Sequence, residues 1–169
     1  MDTVTKQQRS AMMAKIKGKD TKPEIVVRQG LFRKGYRFRL HRKIGSSRPD
    51  IILSRKRAVV FVHGCFWHQH QGCRHYRLPK SNLEFWTDKL TKNSSRDRQN
   101  IVSLRGEGWR VALIWECAIR QPSLLDELSD WLLSTQTFFV ASEVGGARSV
   151  TTVDDLELPP RAGYSTPIG

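Results

Sequence analysis

No run of about 18 consecutive apolar residues occurs in this 169-residue chain, so no stretch reads as a transmembrane helix. The opening MDTVTKQQRS has no apolar segment of the kind a secretory signal carries. The cytoplasm is therefore the expected compartment, with no membrane partner. Cysteine is scarce: only Cys65, Cys73 and Cys117 are present. An odd count in a reducing compartment argues against a disulfide framework and leaves buried thiols or a metal site. Acidic residues are few as well. Sixteen Asp and Glu stand against 29 Lys and Arg, a net charge of +13. Residues 134–169 hold Arg148 and Arg161 against Glu143, Asp154, Asp155 and Glu157, so residues 1–133 carry +15. Such an excess repels itself unless a polyanion offsets it. Nucleic acid is the first candidate, ahead of a solubilising surface or an anionic membrane.

The length suits one domain with a real core. Residues 5–17 read as a short basic helix with Met12, Met13 and Ile16 on one side. Asp20 or Thr21 can cap a second helix, with Pro23 in its first turn, Gly35 at its end, and Ile25, Leu31 and Phe32 as its buried side. Strand signals follow at 36–41, 50–54 and 58–62, the last a continuous apolar run that suits a central strand. Residues 65–79, CFWHQHQGCRHYRLP, have neither period and look like a loop ordered by something other than a core. A helix is expected over 82–105, its apolar positions Leu83, Trp86, Leu90, Ile101 and Leu104 interrupted by SSRDRQN. A strand over 109–115 and a helix over 123–133 complete the order α-α-β-β-β-loop-α-β-α. That order implies an α/β fold, a mixed sheet flanked by helices. Residues 134–169 are poor in periodicity, and a mobile tail with one short strand at TFFVA is expected there.

Cys65, His68, His70 and Cys73 fall within nine residues, and Cys117 follows the strand that ends at Trp115. Three thiolates and one imidazole make a closed tetrahedral zinc set, which would staple the loop to the end of a core strand. The spacing matches no standard finger pattern. His68, His70 and His75 compete for the fourth position, and separate buried thiols are the alternative.

Asp50 follows Pro49 and opens a strand. A carboxylate there is costly unless it is paired or binds a metal, and Mg²⁺ with its preference for oxygen fits. Metal-dependent nucleases often carry a second acid in an upstream helix, and Glu24 occupies that place. The next strand ends in His63 rather than in a Glu-x-Lys pair, which favours imidazole as acid or base, with His68 near enough to share the role. Singly, Asp50 is an ordinary turn residue, Glu24 a first-turn helix acid and His63 a strand end. The combination, within the positive field, carries the nuclease reading.

The strings HGCFWH (63–68) and WEC (115–117) are unusual. With Lys19-Asp20-Thr21 through Glu24, Arg48-Pro49-Asp50, Lys92-Asn93, Arg96-Asp97-Arg98 and Gly108-Trp109-Arg110-Val111, they resemble the very-short-patch repair (Vsr) endonuclease family over roughly residues 8–133. The resemblance implies a restriction-endonuclease-like fold with a structural Zn²⁺, and a nuclease domain over 1–133. It implies Mg²⁺-assisted nicking of one strand, 5′ to the T of a T:G mismatch left by deaminated 5-methylcytosine. By the same resemblance, Asp50 and the Val62 carbonyl hold the catalytic metal, His63 and His68 are catalytic, and Glu24 is an accessory acid. The zinc ligands become Cys65, His70, Cys73 and Cys117. Phe66, Trp67 and Met13 become wedges that enter the duplex, where a mismatch lowers the cost of unstacking. Double-stranded DNA with a T:G mismatch is the implied partner, other repair proteins are further ones, and a monomer is expected. The chain departs from the family at Val62, where members can carry Thr. It also departs at Gln69 and Gln71, at Gly72, which reads as an insertion, and in the tail.

Overall fold

Pro23 and Glu24 open a helix for two reasons: proline tolerates the first turn, and a carboxylate there meets the positive end of the helix dipole. In the computed structural model, which describes residues 18–144 and 146–149 with a few isolated positions before them, this helix is α1 (Lys22–Arg33). Its buried stripe is Glu24, Val27, Gly30 and Leu31. The expected Ile25 and Phe32 are instead 38% and 56% exposed. Gly30 explains the rotation. A Cβ there would stand 2.3 Å from Leu125 Cδ1, so the glycine lets a later helix close on this face. Phe32 lies outside, beneath the Arg37 guanidinium at 4.2 Å.

Six strands form one sheet in chain order: β1 (Arg39–Leu40), β2 (Ile51–Leu53), β3 (Ala58–His63), β4 (Arg110–Trp115), β5 (Phe138–Ser142) and β6 (Gly146–Ser149). The centre, β3-β4-β5, is parallel, and the outer pairings are antiparallel. The apolar run of β3 is buried throughout, as a parallel strand covered on both faces must be. Val60, Val62, Ala112 and Ile114 point to α1 and α3 (Leu124–Leu133). Val59, Phe61, Leu113 and Trp115 point to the other face, under Ile101 and Leu104 of α2 (Leu83–Gly106). By this alternation His63 emerges on the α2 side. β1 is shorter than the 36–41 run expected, and ends where His41 takes a left-handed φ of +51°.

The helix expected over 82–105 is α2, which runs 24 residues through SSRDRQN. Where the apolar positions are interrupted, Ser94 and Asp97 occupy inward positions between Leu90 and Ile101. One expectation is corrected: the boundary at residue 133 falls inside the domain. The strand expected at TFFVA is β5, fully buried and paired parallel to β4, and β6 pairs with it in turn. Without them β4 would present a bare hydrophobic edge, so the sheet continues to Ser149 rather than giving way to a tail. Residues 150–169 and most of the helix expected over 5–17, Met13 included, lie outside the described residues. Among the described residues, no helix is long and apolar enough to cross a membrane.

Candidate active site and metal centre

β3 and β4 run parallel with His63 opposite Trp115. Cys65 and Cys117, each two residues further on, therefore emerge side by side. The loop after β3 turns back through a His70 N–H···O=C bond to Cys65 at 2.9 Å, and Gly72 supplies a left-handed φ of +71° just before Cys73. The result brings one donor atom each from Cys65, His70, Cys73 and Cys117 within 4.8 Å of one another, all buried. His70 Nδ1 lies 3.5 Å from the sulfurs of Cys65 and Cys117. Its ring stacks on Trp115 at 4.1 Å and 4°. Of the three histidines that spacing left open, His70 is the one in the cluster; His75 lies outside it, 3.8 Å from Glu143.

The hydrogen bond with Cys117 and burial push the Cys65 thiol up, and burial pushes up Cys73. The Cys65 hydrogen bond holds Cys117 down to about 4 against its own burial. A divalent ion bound there would favour all three thiolates. Three soft sulfurs and an imidazole in an enclosed set fit zinc.

His63, His68 and Asp97 form a second cluster. The rings of His63 and His68 stack at 3.9 Å and 10°. His68 Nδ1 makes a short contact with the Asp97 carboxylate. Burial, with the charge of His68, pushes His63 down to about 3, so it is neutral at neutral pH. Its Nδ1 is buried with no hydrogen-bond partner. Burial opposes ionisation of Asp97, but His63, His68 and Arg96 outweigh it and hold the carboxyl below its usual range.

Asp50 precedes β2 and accepts the Val62 N–H on Oδ2 at 2.7 Å. Burial pushes it up to about 6, the Val62 bond opposes this, and the charge of Glu24 adds to it. Glu24 is 3% exposed, and both its oxygens are occupied. Thr21 Oγ1 donates to Oε1 at 2.9 Å, while the Asp20 N–H (2.9 Å) and Arg28 Nη2 (2.7 Å) donate to Oε2. Arg28 also reaches Asp20 at 2.6 Å and His41 at 2.8 Å. Asp50, Glu24, His63, His68 and Asp97 all line one open cleft of about 700 Å³. Arg48, Lys89 and Arg96 add cations to its walls.

The profile of the family described as DNA mismatch endonuclease Vsr matches residues 1–75. A type II nicking enzyme of Xanthomonas oryzae, V.XorIIP, is 45% identical over 125 residues, covering 74% of this chain and 91% of its own length. The DNA mismatch endonuclease Vsr of Escherichia coli is 37% identical over 137 residues, covering 78% of this chain and 87% of its own length. The chain belongs to the Vsr family of DNA mismatch endonucleases. Among solved structures, the catalytic domain of the homing endonuclease I-Bth0305I superposes with a TM-score of 0.38 at 20% identity, covering 66% of this chain and 84% of that domain.

In this Vsr-family chain, Phe66 and Trp67 are half-buried and belong to neither core cluster, and Trp67 lines the cleft. They rest on Trp86 of α2, with ring centroids 5.5 and 6.0 Å away. Asn93 Nδ2 donates to the Trp67 carbonyl at 3.3 Å, and Lys89 Nζ stands 5.5 Å from the Trp67 ring. Sequence reasoning singled out neither Asp97 nor the Arg28–His41 pair as site residues. The available signal for Asp97 was an acid at an inward position of an amphipathic helix. For Arg28 and His41 there was none, because they meet only through the fold.

Proposed function

We propose that this endonuclease nicks one strand of double-stranded DNA, 5′ to the T of a T:G mismatch, by Mg²⁺-assisted hydrolysis. The observation that carries this reading is the convergence of Asp50 with the stacked His63–His68–Asp97 group in one basic cleft, below an aromatic pair. Membership of a mismatch endonuclease family supports the substrate, and the nicking activity named for V.XorIIP supports single-strand cleavage.

Asp50 and the Val62 carbonyl are the residues that would hold Mg²⁺. Asp50 fits the ion: it is a largely buried hard-oxygen ligand, raised by burial, with no ion pair among the described residues. When bound, Mg²⁺ supplies Lewis-acid stabilisation of charge on the scissile phosphate. Asp97 accepts the Nδ1–H of His68, which orients the ring and leaves Nε2 for the cleft. His63, neutral and stacked on His68, accepts or relays a hydrogen bond instead, since two stacked imidazoles repel when both are charged. Glu24, saturated by its partners, acts through its field on Asp50 rather than by moving a proton. A nick leaves excision and resynthesis to other repair proteins, and one cleft per strand suits a monomer. A set of three unpaired cysteines calls for the reducing cytoplasm.

Cys65, His70, Cys73 and Cys117 would hold Zn²⁺, which would tie down the loop that bears His68 and the aromatic pair. Cys117→Ser should release zinc and lower Tm, read by elemental analysis and thermal denaturation; a wild-type protein free of zinc would refute the assignment. Trp67→Ala should reduce discrimination between mismatched and matched duplex by a stacking-scale amount, about 1–3 kcal/mol. Equal loss on both duplexes would make Trp67 a general contact. The reading itself is tested by incubating the protein and Mg²⁺ with duplexes that differ at one pair, in several flanking contexts. Cleavage of T:G but not of C:G or T:A is expected, and cleavage of matched duplex at equal rate would refute the mismatch reading.

A further inference from the structure

The turn that joins β5 to β6 lies against both halves of the Cys65–His70–Cys73–Cys117 cluster. Glu143 donates its backbone N–H to the Cys117 sulfur at 3.3 Å. Its carboxylate pairs with Arg74 at 2.9 Å and approaches His75 at 3.8 Å, the two residues that follow Cys73. Beside it, Val144 Cγ1 would stand 4.0 Å from a methyl placed on Gly72. One turn thus touches the loop on either side of Cys73 as well as a sulfur that arrives from the end of β4.

We propose that Glu143 is a positioning residue of the metal centre: its backbone N–H, presented by the β5–β6 hairpin, fixes the Cys117 sulfur and sets how readily the bound ion leaves. The inference rests on the zinc reading above. Hydrogen bonds to ligand atoms orient them and spread their charge, and losing such a partner typically costs about 10–100-fold in metal affinity. The donor is preorganised, because the pairs Ser142↔Gly146 and Ala141↔Ala147 hold the turn from both sides. The Arg74–Glu143 pair is secondary. Its side chains are 64% and 41% exposed, and pairs in that setting contribute little. The segment after residue 133 is on this account part of the metal site.

Two variants separate the donor from the ion pair. Glu143→Pro deletes the N–H, and Glu143→Gln keeps it while removing the charge. Full-length zinc-loaded protein is mixed with a chromophoric chelator and metal transfer is followed over time. Glu143→Pro is expected to lose zinc about tenfold faster than wild type, and Glu143→Gln to stay within about twofold. If the wild type carries no zinc on elemental analysis, the zinc reading fails. If it carries zinc and a folded Glu143→Pro releases it at the wild-type rate, this inference is overturned while the zinc reading stands. Should the proline variant not fold, the wild type substituted with NMR-active cadmium decides. A coupling from cadmium through the Cys117 sulfur to the Glu143 amide proton is expected, and its absence alongside resolved cysteine couplings overturns the proposal.

Discussion

Asp50→Asn should abolish strand cleavage and, in metal-free buffer, make the protein more stable. The two effects share one cause. Burial raises the Asp50 carboxyl from the ordinary 3.8 to about 6, so ionising it costs more in the folded chain than in the unfolded one. A group raised in this way leaves stability intact below about pH 4, and the penalty grows as pH climbs to about 6. At neutral pH the penalty is on the order of 2 kcal/mol after allowance for partial exposure. Asparagine keeps an oxygen for the Val62 N–H and removes the charge. Denaturant unfolding should therefore show the variant ahead of wild type at pH 7 and level with it near pH 4. Mg²⁺ should raise the Tm of the wild type and leave the variant unchanged. Losing a metal ligand worth several kcal/mol of transition-state stabilisation lowers the cleavage rate by about 10³-fold or more. Equal stability at both pH values, or an active variant, would remove Asp50 from the site.

The second large effect is expected at Asp97. Asp97→Asn preserves shape but removes the anion that orients His68. Loss of a positioned acid–base group costs about 10²–10⁴-fold in rate, with mismatch binding unchanged in a gel-shift or anisotropy titration. The stability sign is opposite to that of Asp50. Asp97 is held below the usual carboxyl range, so it contributes stability above that range and loses it as pH falls. Its asparagine variant should be less stable at neutral pH, and the gap should close in acid. Two carboxylates of one cleft thus respond to the same substitution in opposite directions, which a general loss of packing would not produce.

Much of this was legible in the residues themselves, and the reasons differ from element to element. The run AVVFV suited a doubly covered strand, and the strand was expected to end at His63, as β3 does. Three cysteines with nearby histidines pointed to a metal centre, but spacing did not separate His70 from His68 and His75; the family resemblance chose His70, and the fold stacks it on Trp115. The buried face of α1 was misjudged because apolar character favours Ile25 and Phe32. The actual stripe follows Gly30, which admits Leu125, and includes Glu24, whose charge is satisfied by Arg28 from the next turn. Asp97 was hidden for a related reason. An acid inside a helical stripe looks like an interruption until the imidazole that compensates it, 29 residues away, is seen beside it. The short strand at TFFVA was expected, but its place in the sheet was not, because the burial of β5 depends on β4 rather than on any period of its own.

The most direct test of the central claim is single-turnover cleavage of a T:G duplex labelled separately on each strand, with Mg²⁺ and with chelator, mapped to the nucleotide. The expected result is one metal-dependent nick, on the T-bearing strand and immediately 5′ to the T, absent from the C:G duplex and from reactions with Asp50→Asn. Cleavage of both strands, a nick on the G-bearing strand, or equal cutting of the C:G duplex would contradict the account.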